Sequence, residues 1–343
     1  MGAPGRPAIG SGTLEEGGKL IMAGDWPNAL SLFNSILGSV DEAGTFRCKD
    51  LVEAYQSRGF VYCRMSRFKE SVADYLRALE MAKTSEDKAM EAESLRGLGY
   101  VHYVMGDPNM AMEFYEKAYA MVVEGGDTAL IGRTLIEIGN VHNQAGHQEM
   151  AIKKYQEAAK RLSGLGPSDQ TARAHYNTGD SLMKLNRTGE AVEAFEKTIA
   201  ICERLGPSPW KDWARTLLAL CHARNGRPKD ARVALADVVE SLREKKDMLG
   251  GSQATMVQGV ISSVEGDFDK ALEEVDRAIK IARDFGHAAM VAEALQEKGG
   301  IFLRKGDKEA ARTAYGEAKA AYKDVGNNHA ATEVEEQLKA LGD

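Results

Sequence analysis

The chain has 343 residues, 43% of them hydrophobic and 28% charged, the proportions of a folded protein and neither of a disordered chain nor of a disulfide scaffold. Its net charge of −7 argues against binding to nucleic acid or to an anionic membrane, both of which need a basic face. The four cysteines, Cys48, Cys63, Cys202 and Cys221, form no C-x-x-C pair, which speaks against zinc and thioredoxin-type chemistry and suits reduced thiols in a cytoplasmic protein.

Residues 1–9 open the chain without an apolar core of the kind a signal peptide carries, and read as a flexible lead-in. No apolar run approaches the roughly 18 residues that a membrane span needs, so no membrane partner is expected. From residue 10 a register sets in. A small residue recurs at Ala29 and Ser71, and then every 40 residues at Ala111, Ala151, Ala191, Ala231, Ala271 and Ala311. A glycine precedes each by twelve places, at Gly17, Gly59, Gly99, Gly139, Gly179, Gly259 and Gly299, with Ala219 as the one substitute. Four places after each stands a larger group: Phe33, Tyr75, Tyr115, Tyr155, Phe195, Leu235, Val275 and Tyr315.

Each unit reads as two helices. Ala111, Phe114, Tyr115, Ala118 and Val122 share one helical face, while Glu113 and Lys117 sit four apart on the wet side. Gly24-Asp25, Gly106-Asp107, Gly266-Asp267 and Gly306-Asp307 mark the turn between helices: glycine ends the first and aspartate caps the second. The second helix ends at Gly126, Gly166, Gly206, Gly286 and Gly326; the sixth unit has Lys246 there, which predicts a linker of different shape. The expected units are 10–51, 52–91, 92–131, 132–171, 172–211, 212–251, 252–291 and 292–326, followed by a capping helix over 327–343. A lone helical hairpin cannot bury its apolar face, whereas stacked hairpins bury a continuous core. The fold class expected is therefore all-α.

In unit three, Gly99, His102, Ala111, Tyr115 and Ala118 occupy the eighth, eleventh, twentieth, twenty-fourth and twenty-seventh places. That pattern resembles the tetratricopeptide repeat, whose usual period is 34, and the period of 40 resembles its longer-helix variant. The resemblance covers residues 10–326. It implies a right-handed α-solenoid of about eight hairpins whose first helices line a groove for a peptide or partner helix. It further implies that the second, fifth, ninth, twelfth and thirteenth places face that groove. The candidates so placed are Arg96, Tyr100 and Tyr103, with Glu93 and Val104, in unit three; Arg133, Asn140 and Asn143, with Ile136 and Gln144, in unit four; Arg173, Tyr176 and Lys184, with Asp180, Met183 and the adjacent Asn177, in unit five; and Trp213 and Arg224, with Thr216, Leu220 and Ala223, in unit six.

Those four units set five cations against two anions, Glu93 and Asp180, which points to an acidic partner segment. Asn and Gln can bond the backbone of an extended peptide, Arg can grip a carboxylate, and Tyr and Trp make good anchors. The carboxylate clamp of chaperone-binding members is poorly matched: Asn140 and Asn177 fit it, but Ile136, Trp213 and Leu217 do not. His102, His142 and His222 share one place in successive or neighbouring repeats, too far apart for one metal ion, and read as packing residues. No nucleophile elbow, phosphate loop, H-E-x-x-H or dinucleotide fingerprint appears, so no catalytic residue, cofactor or metal is expected. Two readings stand. One is a scaffold that recruits a partner through its groove; the other is a regulator that changes shape around a peptide or small ligand. The oligomeric state stays open.

Overall fold

The computed structural model describes residues 11–43 and 47–342; the expected lead-in over 1–9 lies outside them. The described residues form helices with no strand among them. Paired in chain order, they are α1 (Ser11–Met22) with α2 (Trp26–Ala43), α3 (Cys48–Arg64) with α4 (Phe68–Thr84), α5 (Lys88–Val104) with α6 (Pro108–Gly125), and α7 (Thr128–Gln144) with α8 (Gln148–Ser163). Then come α9 (Asp169–Lys184) with α10 (Thr188–Leu205), and α11 (Pro209–Arg224) with α12 (Pro228–Leu235) and α13 (Val238–Glu244). The series ends with α14 (Met248–Val264) and α15 (Phe268–Asp284), α16 (Ala288–Lys305) and α17 (Lys308–Asp324), and α18 (Asn328–Ala340). The chain divides into unit 1, up to Leu165, and unit 2, from Gly166. Each is an all-α solenoid of stacked helical hairpins. Among the described residues no helix is long and apolar enough to cross a membrane.

The repeated residues are the contact between the two helices of each hairpin. Ala29, Ser71 and the six alanines that follow at 40-residue intervals are all fully buried. The glycine of the first helix lies under the large group of the second. A methyl group at Gly99 would stand 2.8 Å from the Tyr115 ring, at Gly139 2.4 Å from the Tyr155 ring, and at Gly179 2.7 Å from the Phe195 ring. Real carbon atoms do not approach so closely, so glycine here makes room for the ring.

The Gly-Asp turns at 106, 266 and 306 share one capping bond. Asp107, Asp267 and Asp307 accept hydrogen bonds from the backbone N–H groups of Met110, Lys270 and Ala310 at 3.1, 3.2 and 3.0 Å. Asp87, Asp127 and Asp247 cap first helices in the same way. The expected change of linker shape at Lys246 is not found. Lys246 takes the left-handed conformation at φ 57°, as Gly286 and Gly326 do at 72° and 74°. The Asp247 N–H then bonds the Leu242 carbonyl at 2.9 Å, as His287 bonds Ala282 at 2.8 Å.

The irregularity of the sixth hairpin lies inside its second helix. That helix breaks between Leu235 and Val238, with Asp237 left-handed at φ 60°. The Arg215 guanidinium of α11 donates to the Ala234 and Ala236 carbonyls at 3.0 and 2.6 Å, which replaces bonds the break removes. This is also the hairpin in which Ala219 replaces glycine and Leu235 replaces an aromatic ring. At the C-terminal end α18 buries Ala331 and Val334 and is tied to α17 by Lys319–Glu335 at 2.9 Å.

Candidate functional site

In unit 1 the first helices α3, α5 and α7 stand side by side; in unit 2, α9, α11, α14 and α16 do. These helices carry the residues expected to line a groove.

On unit 1, Arg96 of α5 bonds Glu93 through two nitrogens at 2.6 and 3.1 Å and reaches Glu137 of α7 at 3.4 Å. Arg133 of α7 lies 3.7 Å from the same Glu93. Burial pushes the Glu93 carboxyl up, but the charge and hydrogen bond of Arg96 and the charge of Arg133 outweigh it and hold the group below the usual range. Arg96 is likewise opposed by its burial and held more firmly charged by Glu93 and Glu137. Tyr100 stacks on Phe60 of α3, with ring centroids 5.8 Å apart, and Phe60 meets the edge of Trp26 at 6.2 Å. Tyr103 is half-buried beside them. Asn140 accepts from the Tyr155 hydroxyl at 2.8 Å, and the Asn143 carbonyl accepts from Gln148 at 3.2 Å.

On unit 2, Arg173, Tyr176 and Asn177 are half-buried along α9. Tyr176 sits among Phe195, Trp210 and Trp213, at centroid distances of 5.8, 5.4 and 6.1 Å. The Trp213 indole N–H donates to the Asp247 carboxylate at 2.7 Å. Lys184 pairs with Asp180 at 2.9 Å. Arg224 of α11 pairs with Glu297 of α16 at 2.5 Å, although α14 stands between the two helices in the row. Side chains two helices apart can meet only if the row bends toward them, so the inner face of unit 2 is concave.

Ile136, Thr216, Leu220 and Ala223, expected on this face, are buried instead, at no more than 4% exposure. The expected excess of positive charge is also corrected. Arg96, Lys184 and Arg224 each hold a carboxylate of the chain itself, and two of those carboxylates, Glu137 and Glu297, fall outside the places read from the repeat pattern. Glu293 on α16 holds the second place of the eighth unit, as Glu93 does of the third, and lies beyond units three to six, from which the candidates come. Its side chain is exposed on this face, yet the crowding of the surrounding helices, followed by the charge of Asp180, pushes its carboxyl up to about 7. Lys184 and Arg224 pull the other way.

His102 stacks on Phe114 at 5.4 Å and His222 is buried, as packing side chains are. Among the described residues no cluster of three or more His, Cys, Asp or Glu could hold a metal ion. Burial pushes the Cys63 and Cys221 thiols up to about 11, which leaves little thiolate near neutral pH.

The sequence profile of the tetratricopeptide repeat family matches residues 50–122 and 170–244. No protein of curated function matches the sequence. Among solved structures, the apo form of RapI is similar at a TM-score of 0.69 and 16% identity, over 80% of this chain and 99% of its own. Aspartyl phosphate phosphatase F from Bacillus subtilis is similar at 0.70 and 13%, over 94% of this chain and 96% of its own. The Rap conjugation gene regulator of a plasmid, solved in complex with a Phr peptide, is similar at 0.64 and 11%, over 98% and 99%. At such identities the likeness is one of fold. The two matched stretches carry tetratricopeptide repeats, and the same register and the stacked hairpins run on beyond them with a 40-residue period.

Proposed function

We propose that the chain is a non-catalytic repeat protein that holds a peptide, or an extended segment of a partner protein, on the concave inner face of unit 2. One observation carries the reading. Tyr176, Trp210 and Trp213 form a cluster of large rings that is only half-buried, at the mouth of a bent row of helices. Rings that served the core alone would be covered, as Phe195 beneath them is. Half-covered aromatic side chains in a hollow are the usual anchors of a protein interface. A structure of similar fold was solved with a peptide, which agrees with a peptide as occupant. The reading does not call for an acidic partner, because three of the five cations that suggested one, Arg96, Lys184 and Arg224, are paired within the fold.

The test is retention of a random heptapeptide pool by the purified chain in gel filtration, read by mass spectrometry. The wild type is expected to retain a subset, and Tyr176→Ala and Trp210→Ala to lose it with helicity intact. Retention of nothing, or of the same set by all three proteins, would overturn the reading.

One observation favours a second reading, a sensor that changes shape on binding. The Arg224–Glu297 pair that spans α14 lies beside Glu293, within reach of anything seated in the hollow. A retained peptide that changes the radius of gyration in small-angle scattering would favour the sensor; an unchanged radius would favour the scaffold.

A further inference from the structure

The hollow of unit 2 has a sign. Six charged groups lie around it: Asp180 and Lys184 on α9, Arg224 on α11, Asp247 at the start of α14, and Glu293 and Glu297 on α16. Asp180 is matched by Lys184 and Glu297 by Arg224. Asp247 caps α14 and holds the Trp213 indole. Glu293 is left: among the described residues it makes no hydrogen bond or ion pair. The helix beside it, α14, brings no charged side chain between Met248 and Val264.

We propose that this niche receives a positively charged group of the bound peptide, an ammonium or a guanidinium, against the rings of Tyr176 and Trp213 and beside the carboxylate of Glu293. The inference rests on the peptide-binding reading above and names what the peptide must carry. It does not stand on the carboxylates alone. The faces of Tyr and Trp attract cations, and the three rings of the cluster lie 5.4 to 6.1 Å apart by centroid, tilted 51° to 76° to one another, so they present faces in more than one direction. A cation entering the hollow meets aromatic faces on one side and an unmatched carboxylate on the other. That carboxylate can supply a charge-assisted hydrogen bond, which offsets the cost of taking the cation out of water. An anion in the same place would face Glu293 with no free partner.

Two titrating groups respond to this field. Burial comes first in pushing the Tyr176 hydroxyl well above its ordinary range, and the charges of Asp180, Glu293 and Asp247 add to it. Glu293 itself is raised to about 7. The groups that face it are Asp180 and Lys184 from α9, Arg224 from α11, Glu297 from its own helix, and the Tyr322 hydroxyl from α17. A cation binds the ionised form, so cationic peptides bind more tightly as pH rises through that range.

The probe is the heptapeptide pool in two forms, one with free amino termini and one acetylated. Peptides retained from both are expected to share Lys or Arg at one position; peptides retained only with a free amino terminus use that group as the cation. The best peptide is then titrated against its neutral counterpart, with citrulline for Arg, norleucine for Lys or an acetyl cap for the terminus. Fluorescence of Trp210 and Trp213 is the readout, in a Trp26→Phe background. The neutral counterpart is expected to bind about tenfold more weakly to the wild type, and Glu293→Gln to bring the two close together with helicity unchanged. A peptide whose cation is Lys or Arg is expected to bind roughly threefold more tightly at pH 8 than at pH 6, and Glu293→Gln to abolish that dependence. Equal binding of the two peptides, or a preference that survives Glu293→Gln, would overturn the niche and leave peptide binding standing. A pool from which nothing is retained would overturn both.

Discussion

Gly139 and Tyr155 show how one residue sets a repeat. A methyl group on Gly139 would fall 2.4 Å from a ring carbon of Tyr155, and the ring cannot swing away because its hydroxyl is bonded to Asn140. Gly139→Ala is expected to cost about 1–3 kcal/mol, seen as a lower urea midpoint with unchanged slope. This pairing was legible in the sequence, because the glycine and the ring recur together at a fixed spacing. The place of Glu293 was legible too, since it is the second of its unit, but the charges around it were not. Its neighbours Asp180 and Arg224 are more than 60 residues away in sequence, and only the bend of the helical row brings them near. Its folded pKa of about 7 lies above the ordinary 4.5, so the folded state disfavours its ionised form. Its burden on stability is absent below pH 4.5, grows as pH rises toward 7 and is constant above. Glu293→Gln is therefore expected to raise the melting temperature at pH 8 and to leave it nearly unchanged at pH 4. An equal effect at both values would contradict this.

At the scale of elements, the helix boundaries follow capping chemistry that the sequence states openly in the Gly-Asp turns. The break in the sixth hairpin follows something else. The stretch from Pro228 to Glu244 has nothing in its local composition to stop a continuous helix. The break depends on a distant guanidinium, that of Arg215, meeting the Ala234 and Ala236 carbonyls. Two substitutions test it by urea unfolding. Asp237→Gly in an unbroken helix would cost about 1 kcal/mol; at a left-handed residue it is expected to be neutral or to stabilise by up to about 1 kcal/mol. Arg215→Ala is expected to destabilise by roughly 1–2 kcal/mol, through the loss of two hydrogen bonds from a charged donor. Lys246 teaches the complementary lesson. Its side chain is unlike glycine, yet the turn imposes the same left-handed geometry, because the hydrogen bonds around it are the stronger constraint.

At the scale of the whole molecule, a stack of hairpins is held by contacts between neighbours, and about three repeats suffice for stability. Unit 2 holds four hairpins and α18. A fragment of residues 166–343 is expected to remain helical and to melt in one cooperative step; a broad, sloping loss of helicity would show that it depends on the rest of the chain. The Arg224–Glu297 pair adds a property that neighbour contacts alone would not give. It ties two helices across a third, like a string across a bow, and the tie is ionic, with Arg224 about 45% exposed to solvent. Ions in solution weaken such ties over distances of about 10 Å at 0.1 M salt. The curvature of unit 2 is therefore an electrolyte-dependent quantity: the bow slackens in brine and tightens in dilute buffer, and the width of the hollow varies with it.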